Sequence, residues 1–262
     1  MSSESAVLVT GASTGIGAVY AERFARRGHD LVLVARNHER LTALAERLRD
    51  ETGVQVDILQ ADLTQDSDIA AVEQRLREDA RIRILVNNAG TSIPGDFLHQ
   101  SSDDITRLIT LNVTSVARLA NAIAPRLAEA GEGAIVNIAS VVGLGPEMGL
   151  TVYGATKAFV LFLSQGLDVE LSAKGVYVQA VLPAATRTEI WQHSGKDVDT
   201  IPGLMEVDKL VDAALVGFDR RESVTIPPLH DETQWQTLNA TRQAMLPGFA
   251  QSEPAARYLS RS

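Results

Sequence analysis

Short apolar runs alternate along most of the chain with longer segments in which apolar residues recur at helical spacing. The short runs are rich in Val, Ile and Leu and predict strands, whereas the longer segments predict helices. The predicted strands are Ala6–Val9, Leu31–Ala35, Val54–Gln60, Ile84–Asn87, Ala134–Ala139, Val176–Leu182 and Ser223–Ile226. The predicted helices are Gly15–Arg27, Arg40–Thr52, Ser67–Glu78, Ser101–Ala130, Tyr153–Ala173 and Val207–Phe218.

Continuously apolar strands that alternate with helices are typical of a parallel sheet covered on both faces. We therefore predict an α/β, doubly wound Rossmann-type fold with a seven-stranded, mostly parallel sheet and helices on both faces. No internal repeat or linker divides the sequence, so we expect a single domain over residues 1–262. Residues 184–206 interrupt the alternation directly after a strand, which predicts a substrate lid. The tail from residue 227 is predicted to be irregular.

Composition narrows the classes of function. The 262 residues are 45% hydrophobic and 22% charged, as in folded soluble domains, and the net charge of −9 argues against a nucleic-acid partner. No apolar run approaches the roughly 20 residues needed to span a bilayer, and no signal-peptide pattern is present. We therefore expect no membrane partner and a cytoplasmic location. The chain has no cysteine, and its five histidines are scattered, so we predict no metal site.

A glycine-rich segment, Thr10–Gly17 (TGASTGIG), follows the first predicted strand and opens the first predicted helix. Gly11 would permit a tight turn, Gly15 a close approach of the backbone to a pyrophosphate, and Gly17 close packing of helix on strand. The spacing is not G-x-G-x-x-G, and glycine-rich turns without a ligand are common. The order of strand, glycines and helix nevertheless favours dinucleotide binding.

The end of the second predicted strand should decide between NAD and NADP. NAD enzymes have a carboxylate there for the ribose hydroxyls, but this strand is followed by Arg36, and Asp30 precedes it. A guanidinium is suited to a 2′-phosphate, so we predict NADP(H) rather than NAD(H). The alternative interpretation is that Arg36 is an ordinary surface arginine.

Tyr153 and Lys157 are the strongest candidates for chemistry. They lie one turn apart on one face of a predicted helix, and Lys157 has mainly apolar neighbours. An ammonium would lower the pKa of a nearby phenol from about 10 and make it a useful general acid or base. Ser140 follows a predicted strand and could orient a substrate carbonyl. Asn112 lies inside a predicted helix, where Asn is unfavourable, which indicates either a harmless polar residue or a local kink with a water leading towards Lys157.

Seven features occur in order: TGASTGIG, Asp62-Leu63, NNAG at Asn87–Gly90, Asn112, Ser140, YxxxK at Tyr153–Lys157, and Pro183 with Thr188. Together they resemble the classical short-chain dehydrogenase/reductase family over Ala6 to about Thr188, and Arg36 resembles its NADP-preferring branch. One departure is Ala184, which stands where the family has glycine after Pro183 and lacks the backbone freedom of glycine.

The resemblance implies a role for each matched position. Tyr153 would be the acid–base, Ser140 the substrate orienter and Asn112 the fourth member of a proton relay with Lys157. By the same resemblance, the cofactor phosphates would be bound by Ser13, Thr14, Gly15 and Ile16, and the adenine by Asp62 and Leu63. The inner face of the cofactor would be lined by Asn88, Ala89 and Gly90. Lys157 would bind the nicotinamide ribose, and Pro183 and Thr188 would bind the carboxamide. The two longest predicted helices would form a four-helix interface in a homodimer or homotetramer.

The sequence therefore predicts an NADP(H)-dependent oxidoreductase that transfers hydride between nicotinamide and a carbonyl or secondary alcohol. Two alternatives stay open: a non-catalytic NADP-binding sensor or scaffold, and an epimerase on the same fold. The small-molecule substrate is expected to be apolar because the lid contains several apolar residues, although these could equally pack on their own domain. They are Ile190, Trp191, Ile201, Leu204 and Met205. His193 of the lid is interpreted as a surface residue.

Overall fold

The structure is a computed structural model that describes residues 5–188 and 201–259. Its strands are β1 (Ala6–Thr10), β2 (Asp30–Ala35), β3 (Val56–Gln60), β4 (Ile82–Asn87), β5 (Ala134–Ile138), β6 (Tyr177–Val181) and β7 (Val224–Thr225). Its α-helices are α1 (Gly15–Arg26), α2 (His38–Thr52), α3 (Asp66–Glu78), α4 (Ser102–Ile109), α5 (Ser115–Ala130), α6 (Thr151–Leu171), α7 (Val207–Asp219) and α8 (Glu232–Met245).

The seven strands form one sheet in the order β3-β2-β1-β4-β5-β6-β7. Every pair of neighbours is parallel, as Leu8 of β1 shows by pairing with Val32 of β2 on one side and Leu85 of β4 on the other. The strand order reverses between β1 and β4, which is where ligands bind in open sheets of this kind. The predicted doubly wound α/β fold is confirmed.

Two apolar layers cover the sheet because successive strand residues point to opposite faces. Val7 and Val9 of β1 point into the layer that contains Tyr20 and Phe24 of α1. Leu8 points into the other layer, which α3 and α5 cover. Tyr20 and Tyr177 are both buried in the core.

The single helix predicted over Ser101–Ala130 is wrong in one respect, since a π-helical turn at Thr110–Thr114 separates α4 from α5. The backbone N–H of Ser115 donates to the carbonyl of Thr110, five residues back. The Ser115 hydroxyl donates at 2.6 Å to the carbonyl of Leu111, the group that an α-helical N–H would have bound. Apolar periodicity does not detect such a substitution, so the sequence pattern gave one continuous helix.

The predicted lid is anchored at its base. Thr186 and Met205 form an isolated parallel bridge, in which the N–H of Arg187 donates to Met205 O and the N–H of Met205 donates to Ala185 O, both at 2.9 Å. Ile190, Trp191 and His193 lie outside the described residues. Arg221 is the one non-glycine residue of the described chain with positive φ, so Ala184 adopts a conformation that does not require glycine.

Two compact units are present, Met1–Pro227 and Pro228–Ser262, and the first carries the whole sheet. The single-domain assignment over residues 1–262 stays a prediction, but the expectation of an irregular tail is wrong. The second unit contains α8, whose N-terminus is capped by Asp231. None of the side chains in α8 is buried, so the sequence shows no apolar period there. In the described ranges no helix combines the length and the apolar character that crossing a membrane requires.

Candidate active site

The carboxyl ends of four neighbouring strands bring the predicted site residues to one edge of the sheet. The glycine turn follows β1, the NNAG segment spans the end of β4 and the loop after it, Ser140 follows β5, and Pro183 follows β6. Because the strands are parallel, these four loops meet at the same edge. Tyr153 and Lys157 are placed beside them by α6.

The glycine turn has the backbone that a phosphate site needs. Gly11 and Gly15 have φ values of +66° and +56°, which side chains disfavour. A Cβ at Gly17 would lie 2.4 Å from Gly11 O, so α1 can approach the turn only through a glycine. Thr14 is the N-cap of α1 but forms no side-chain cap, and the first turn has no acidic residue. The first N–H groups of α1 are therefore suited to an anion.

The NNAG segment braces this turn. Asn88 Nδ2 donates to Thr10 O at 2.9 Å and to Gly11 O at 3.2 Å. The hydroxyl oxygen of Thr10 accepts from the N–H groups of Asn88 and Ala89, both at 3.0 Å. The side chain of Asn88, assigned by resemblance to the inner face of the cofactor, thus holds the glycine turn to β4. Thr10 was missed, although its position as the last residue of β1 marks it as able to reach both loops.

The ends of β2 and β3 lie beside the turn. Arg36 is exposed directly after β2, and no ion pair engages it within the described ranges. Asp30 lies at the opposite end of β2, where its carboxylate accepts from the N–H of Gln55 at 2.9 Å. The Asp62 carboxylate accepts from the N–H and hydroxyl of Thr64, and Leu63 is buried. The second strand therefore places a guanidinium and no carboxylate at the site edge.

Tyr153, Ser140 and Lys157 are brought together. The Lys157 Nζ lies 5.7 Å from the centre of the Tyr153 ring and donates to Ile138 O at 2.8 Å. Ser140 lies close enough to Tyr153 to lower the pKa of its phenol, and the Ser140 hydroxyl donates to Pro183 O at 3.2 Å. The carbonyl of Pro183, expected to hold a carboxamide, thus orients Ser140. Near the turn, a Cβ at Gly15 would lie 3.3 Å from Thr188 Cγ2, which places Thr188 against the expected phosphate site.

The pKa values of Tyr153 and Lys157 differ from the expectation that the sequence gives for the tyrosine. Burial raises the pKa of Tyr153 to about 12, and the hydrogen bond with Ser140 lowers it by a smaller amount. Burial also lowers the pKa of Lys157 to about 8. The predicted lowering of the tyrosine pKa by the ammonium is wrong, because desolvation of the phenolate is the largest effect. At neutral pH the phenol therefore holds its proton and the amine is charged.

Asn112 lies in the π-helical turn and is 1% exposed. Its Nδ2 donates to Thr91 O at 2.9 Å and to Thr156 Oγ1 at 3.1 Å, while its Oδ1 accepts from the Thr91 N–H at 3.0 Å. A Cβ at Gly90 would lie 3.3 Å from Asn112 Oδ1 and 3.5 Å from Lys157 Nζ. The kink was one of the two interpretations of Asn112, and the structure contains it. Thr91 and Thr156 were missed.

A buried chain of polar side chains joins three of these elements. Asn87 Nδ2 of β4 donates to Asn137 Oδ1 of β5 at 3.0 Å, and Asn137 Nδ2 donates to Ser164 Oγ of α6 at 2.9 Å. Ser164 in turn donates to Val160 O at 2.7 Å. All three side chains are at most 3% exposed. Polar groups in an apolar core are retained where each finds a partner, and here they fix the strands to the helix.

The sequence profile described as short chain dehydrogenase matches residues 5–199. The chain belongs to this family. A solved short-chain dehydrogenase from Sphingobium yanoikuyae, in complex with NADPH, is 66% identical, covers 97% of this chain and 100% of its own, and has a TM-score of 0.96. A solved bulky-bulky ketone specific alcohol dehydrogenase from Comamonas testosteroni is 57% identical, covers 98% of this chain and 99% of its own, and has a TM-score of 0.92.

Two curated relatives are longer than this chain. The very-long-chain 3-oxoacyl-CoA reductase-A of Danio rerio is 39% identical over 187 residues, which are 70% of this chain and 58% of that protein. The human 17-beta-hydroxysteroid dehydrogenase type 3 is 36% identical over 196 residues, 74% of this chain and 63% of that protein. The chain thus spans less than two thirds of the length of these relatives.

Its described residues contain no cluster of three His, Asp or Glu side chains able to hold a metal ion.

Proposed function

We propose that this short-chain dehydrogenase is an NADPH-dependent reductase of ketones, in which Tyr153 donates the proton. The observation that carries the proposal is the group of Tyr153, Ser140 and Lys157 at the strand ends, in which Ser140 and Lys157 are buried and Tyr153 is half-buried with a pKa of about 12. A phenol that keeps its proton at neutral pH can donate that proton to a substrate oxygen, which is the role that reduction of a carbonyl requires.

The cofactor proposal rests on the fit of the nucleotide site. The positive-φ glycines and the uncapped start of α1 suit a pyrophosphate, and Arg36 suits the 2′-phosphate that distinguishes NADP from NAD. The relative from Sphingobium yanoikuyae is a complex with NADPH. When bound, NADPH supplies the hydride. The cofactor contacts that the resemblance implies remain our assignment, and Gly11 and Gly17 shape the turn that holds the phosphates. The contacting residues are Ser13, Thr14, Gly15, Ile16, Asp62, Leu63, Asn88, Ala89, Gly90, Lys157, Pro183 and Thr188.

In the proposed reaction, Ser140 and Tyr153 hold the substrate carbonyl oxygen between their hydroxyl groups. The Tyr153 proton moves to that oxygen as the carbonyl carbon is reduced. The phenolate that remains lies near the Lys157 ammonium, which stabilises it. Lys157, with a pKa of about 8, can exchange its own proton near working pH. Asn112 is assigned to the relay that restores the proton.

The substrate proposed is a ketone with large apolar groups on both sides of the carbonyl. Loops that follow β4 and β5 at the site edge expose large apolar side chains: Phe97, Leu98, Leu144, Met148 and Leu150. Exposed apolar residues of this size beside a polar catalytic group are typical of a binding surface for an apolar ligand. The Comamonas testosteroni relative is specific for bulky-bulky ketones. Ile201, Leu204 and Met205 of the predicted lid are half-buried.

The test is a panel of ketones graded by the size of their two substituents, followed by NADPH absorbance, with Tyr153→Phe as the inactive control. We expect the highest kcat/KM for ketones that carry two large apolar groups. A preference for small or polyhydroxylated ketones would contradict the substrate class but not the reaction. Failure of the protein to oxidise NADPH with any carbonyl compound would contradict the reductase proposal itself.

We also propose that the protein is a homodimer or homotetramer. One face of α6 exposes Phe159, Phe162 and Val169, the last two at 76% and 81%. Large apolar side chains repeated on one helix face are stabilised by packing against another protein surface. Light scattering should give a multiple of the 28.2 kDa chain mass, and Phe162→Asp should shift it towards the monomer. A monomeric wild-type protein at micromolar concentration would contradict the proposal.

The cytoplasmic location and the absence of nucleic-acid partners stay predictions.

A further inference from the structure

The hydroxyl of Thr156 both donates and accepts a hydrogen bond. It is 3% exposed, donates to the backbone carbonyl of Tyr153 at 2.7 Å and accepts from Asn112 Nδ2 at 3.1 Å. A threonine hydroxyl in the middle of a helix often bonds only its own helix. Here the same oxygen also accepts a hydrogen bond from a side chain of the π-helical turn. This bond joins Asn112 to α6 at a position between Tyr153 and Lys157.

The hydrogen bond to Thr156 gives the second N–H of the Asn112 amide its acceptor. Thr91 engages Oδ1 and the other N–H of the amide through its backbone, which fixes one edge of the carboxamide. Thr156 engages the remaining N–H, so the orientation of Asn112 is tied to α6 as well as to the loop after β4. The consequence reaches Lys157, because Asn112 Oδ1 and Lys157 Nζ border the same point beside Gly90.

We propose that Thr156 is a positioning residue for proton transfer, whose hydroxyl sets the Asn112 carboxamide relative to the helix that carries Tyr153 and Lys157. The inference rests on the roles proposed above for Asn112, Tyr153 and Lys157. Thr156 itself touches neither substrate nor cofactor in this assignment and acts through Asn112. Small displacements of a catalytic group reduce the rate of the chemical step more than they weaken ground-state binding.

Thr156→Val tests the hydroxyl because valine keeps the branched shape and removes the hydrogen bonds. We expect kcat to fall by on the order of tenfold, with KM and the Kd of NADPH changed by less than about twofold. Thr156→Ser, which keeps the hydroxyl, should restore most of kcat. Thr106→Val is the matched control: its hydroxyl donates to Ser102 O at 2.8 Å on the exposed side of α4, and its loss should leave kcat unchanged.

A double-mutant cycle with Asn112→Ala separates positioning from mere structure. If Thr156 acts through Asn112, Thr156→Val should lower kcat little further in the Asn112→Ala background. Additive losses would overturn the proposal, and so would a Thr156→Val enzyme with wild-type kcat. If Thr156→Val fails to fold, Thr156→Ala in both backgrounds provides the same cycle. An active Tyr153→Phe enzyme would instead contradict the proposed function, so the two failures are distinguishable.

Discussion

Lys157 Nζ donates a 2.8 Å hydrogen bond to the backbone carbonyl of Ile138, and this bond joins α6 to the end of β5. The lysine side chain is 6% exposed, so its charge is held away from water by apolar neighbours and one carbonyl. A buried ammonium with a single neutral partner costs free energy that deprotonation removes. The lowered pKa of Lys157 follows from this position.

The stability of the protein should therefore depend on the protonation of Lys157. Its pKa is about 8 in the folded protein against an ordinary 10.5, so between these values the unfolded chain binds a proton that the folded chain lacks. The free energy of unfolding contributed by this group rises with pH across that window, by up to about 1.4 kcal/mol per pH unit. Urea unfolding at pH 8 to 10 should show this rise.

Lys157→Met should flatten the rise, whereas Lys174→Met, which removes an exposed lysine, should leave it in place. The raised pKa of Tyr153 lowers the free energy of unfolding as the pH approaches and passes 10, and this contribution is common to the wild type and both variants. Equal slopes for the wild type and Lys157→Met would show that the lysine is not the group responsible.

Tyr153→Phe should remove nearly all turnover, because the ring stays in place while the only proposed proton donor to the substrate is lost. General acid catalysis contributes roughly 10²- to 10⁴-fold to the rate, so a loss of this size in kcat is expected. The Kd of NADPH, measured by fluorescence titration, should change little. Retention of more than a tenth of the wild-type kcat would argue that another group donates the proton.

Arg36→Ala should weaken NADPH binding selectively. A charge-assisted bond to the 2′-phosphate is worth about 1.5–3 kcal/mol, so the Kd of NADPH should rise roughly 10- to 100-fold. The Kd of NADH, which lacks that phosphate, should stay close to the wild-type value. A parallel rise for both nucleotides would mean that Arg36 supports the site in general and does not read the phosphate.

Gly17→Ala should destabilise the fold, because a Cβ there would meet Gly11 O and Asn88 Nδ2, both at 2.4 Å. Overpacking of this kind costs about 1–3 kcal/mol, visible as a lower Tm. Gly248→Ala is the matched control, since a Cβ at this glycine meets no other atom within 4 Å and its φ is not positive. It should leave the Tm close to the wild-type value. A Tm unchanged by Gly17→Ala would contradict the close contact.

The sequence predicted the sheet, its class and the gathering of Tyr153, Lys157 and Ser140, because apolar alternation and motif order depend only on local spacing. It could not predict the π-helical turn, because the pattern of apolar and polar positions does not distinguish Ser115 from another polar residue. The Ser115 hydroxyl takes the place of an α-helical N–H by donating to the carbonyl of Leu111. The sequence pattern missed Thr156 because the partner, Asn112, is 44 residues away. The expectation for the pKa of Tyr153 was wrong because burial, a property of the folded chain, has the largest effect on the phenol.

The chain of Asn87, Asn137 and Ser164 has a consequence for how such an enzyme can diversify. Hydrogen bonds of these side chains join two adjacent strands and the helix of Tyr153 into one block, so amino-acid changes there would disturb the proposed proton donor whatever the substrate. The apolar side chains beyond the strand ends take no part in that block. If these side chains contact the substrate as proposed, replacing them one at a time would change the substrate preference and leave the hydrogen bonds of the block unchanged.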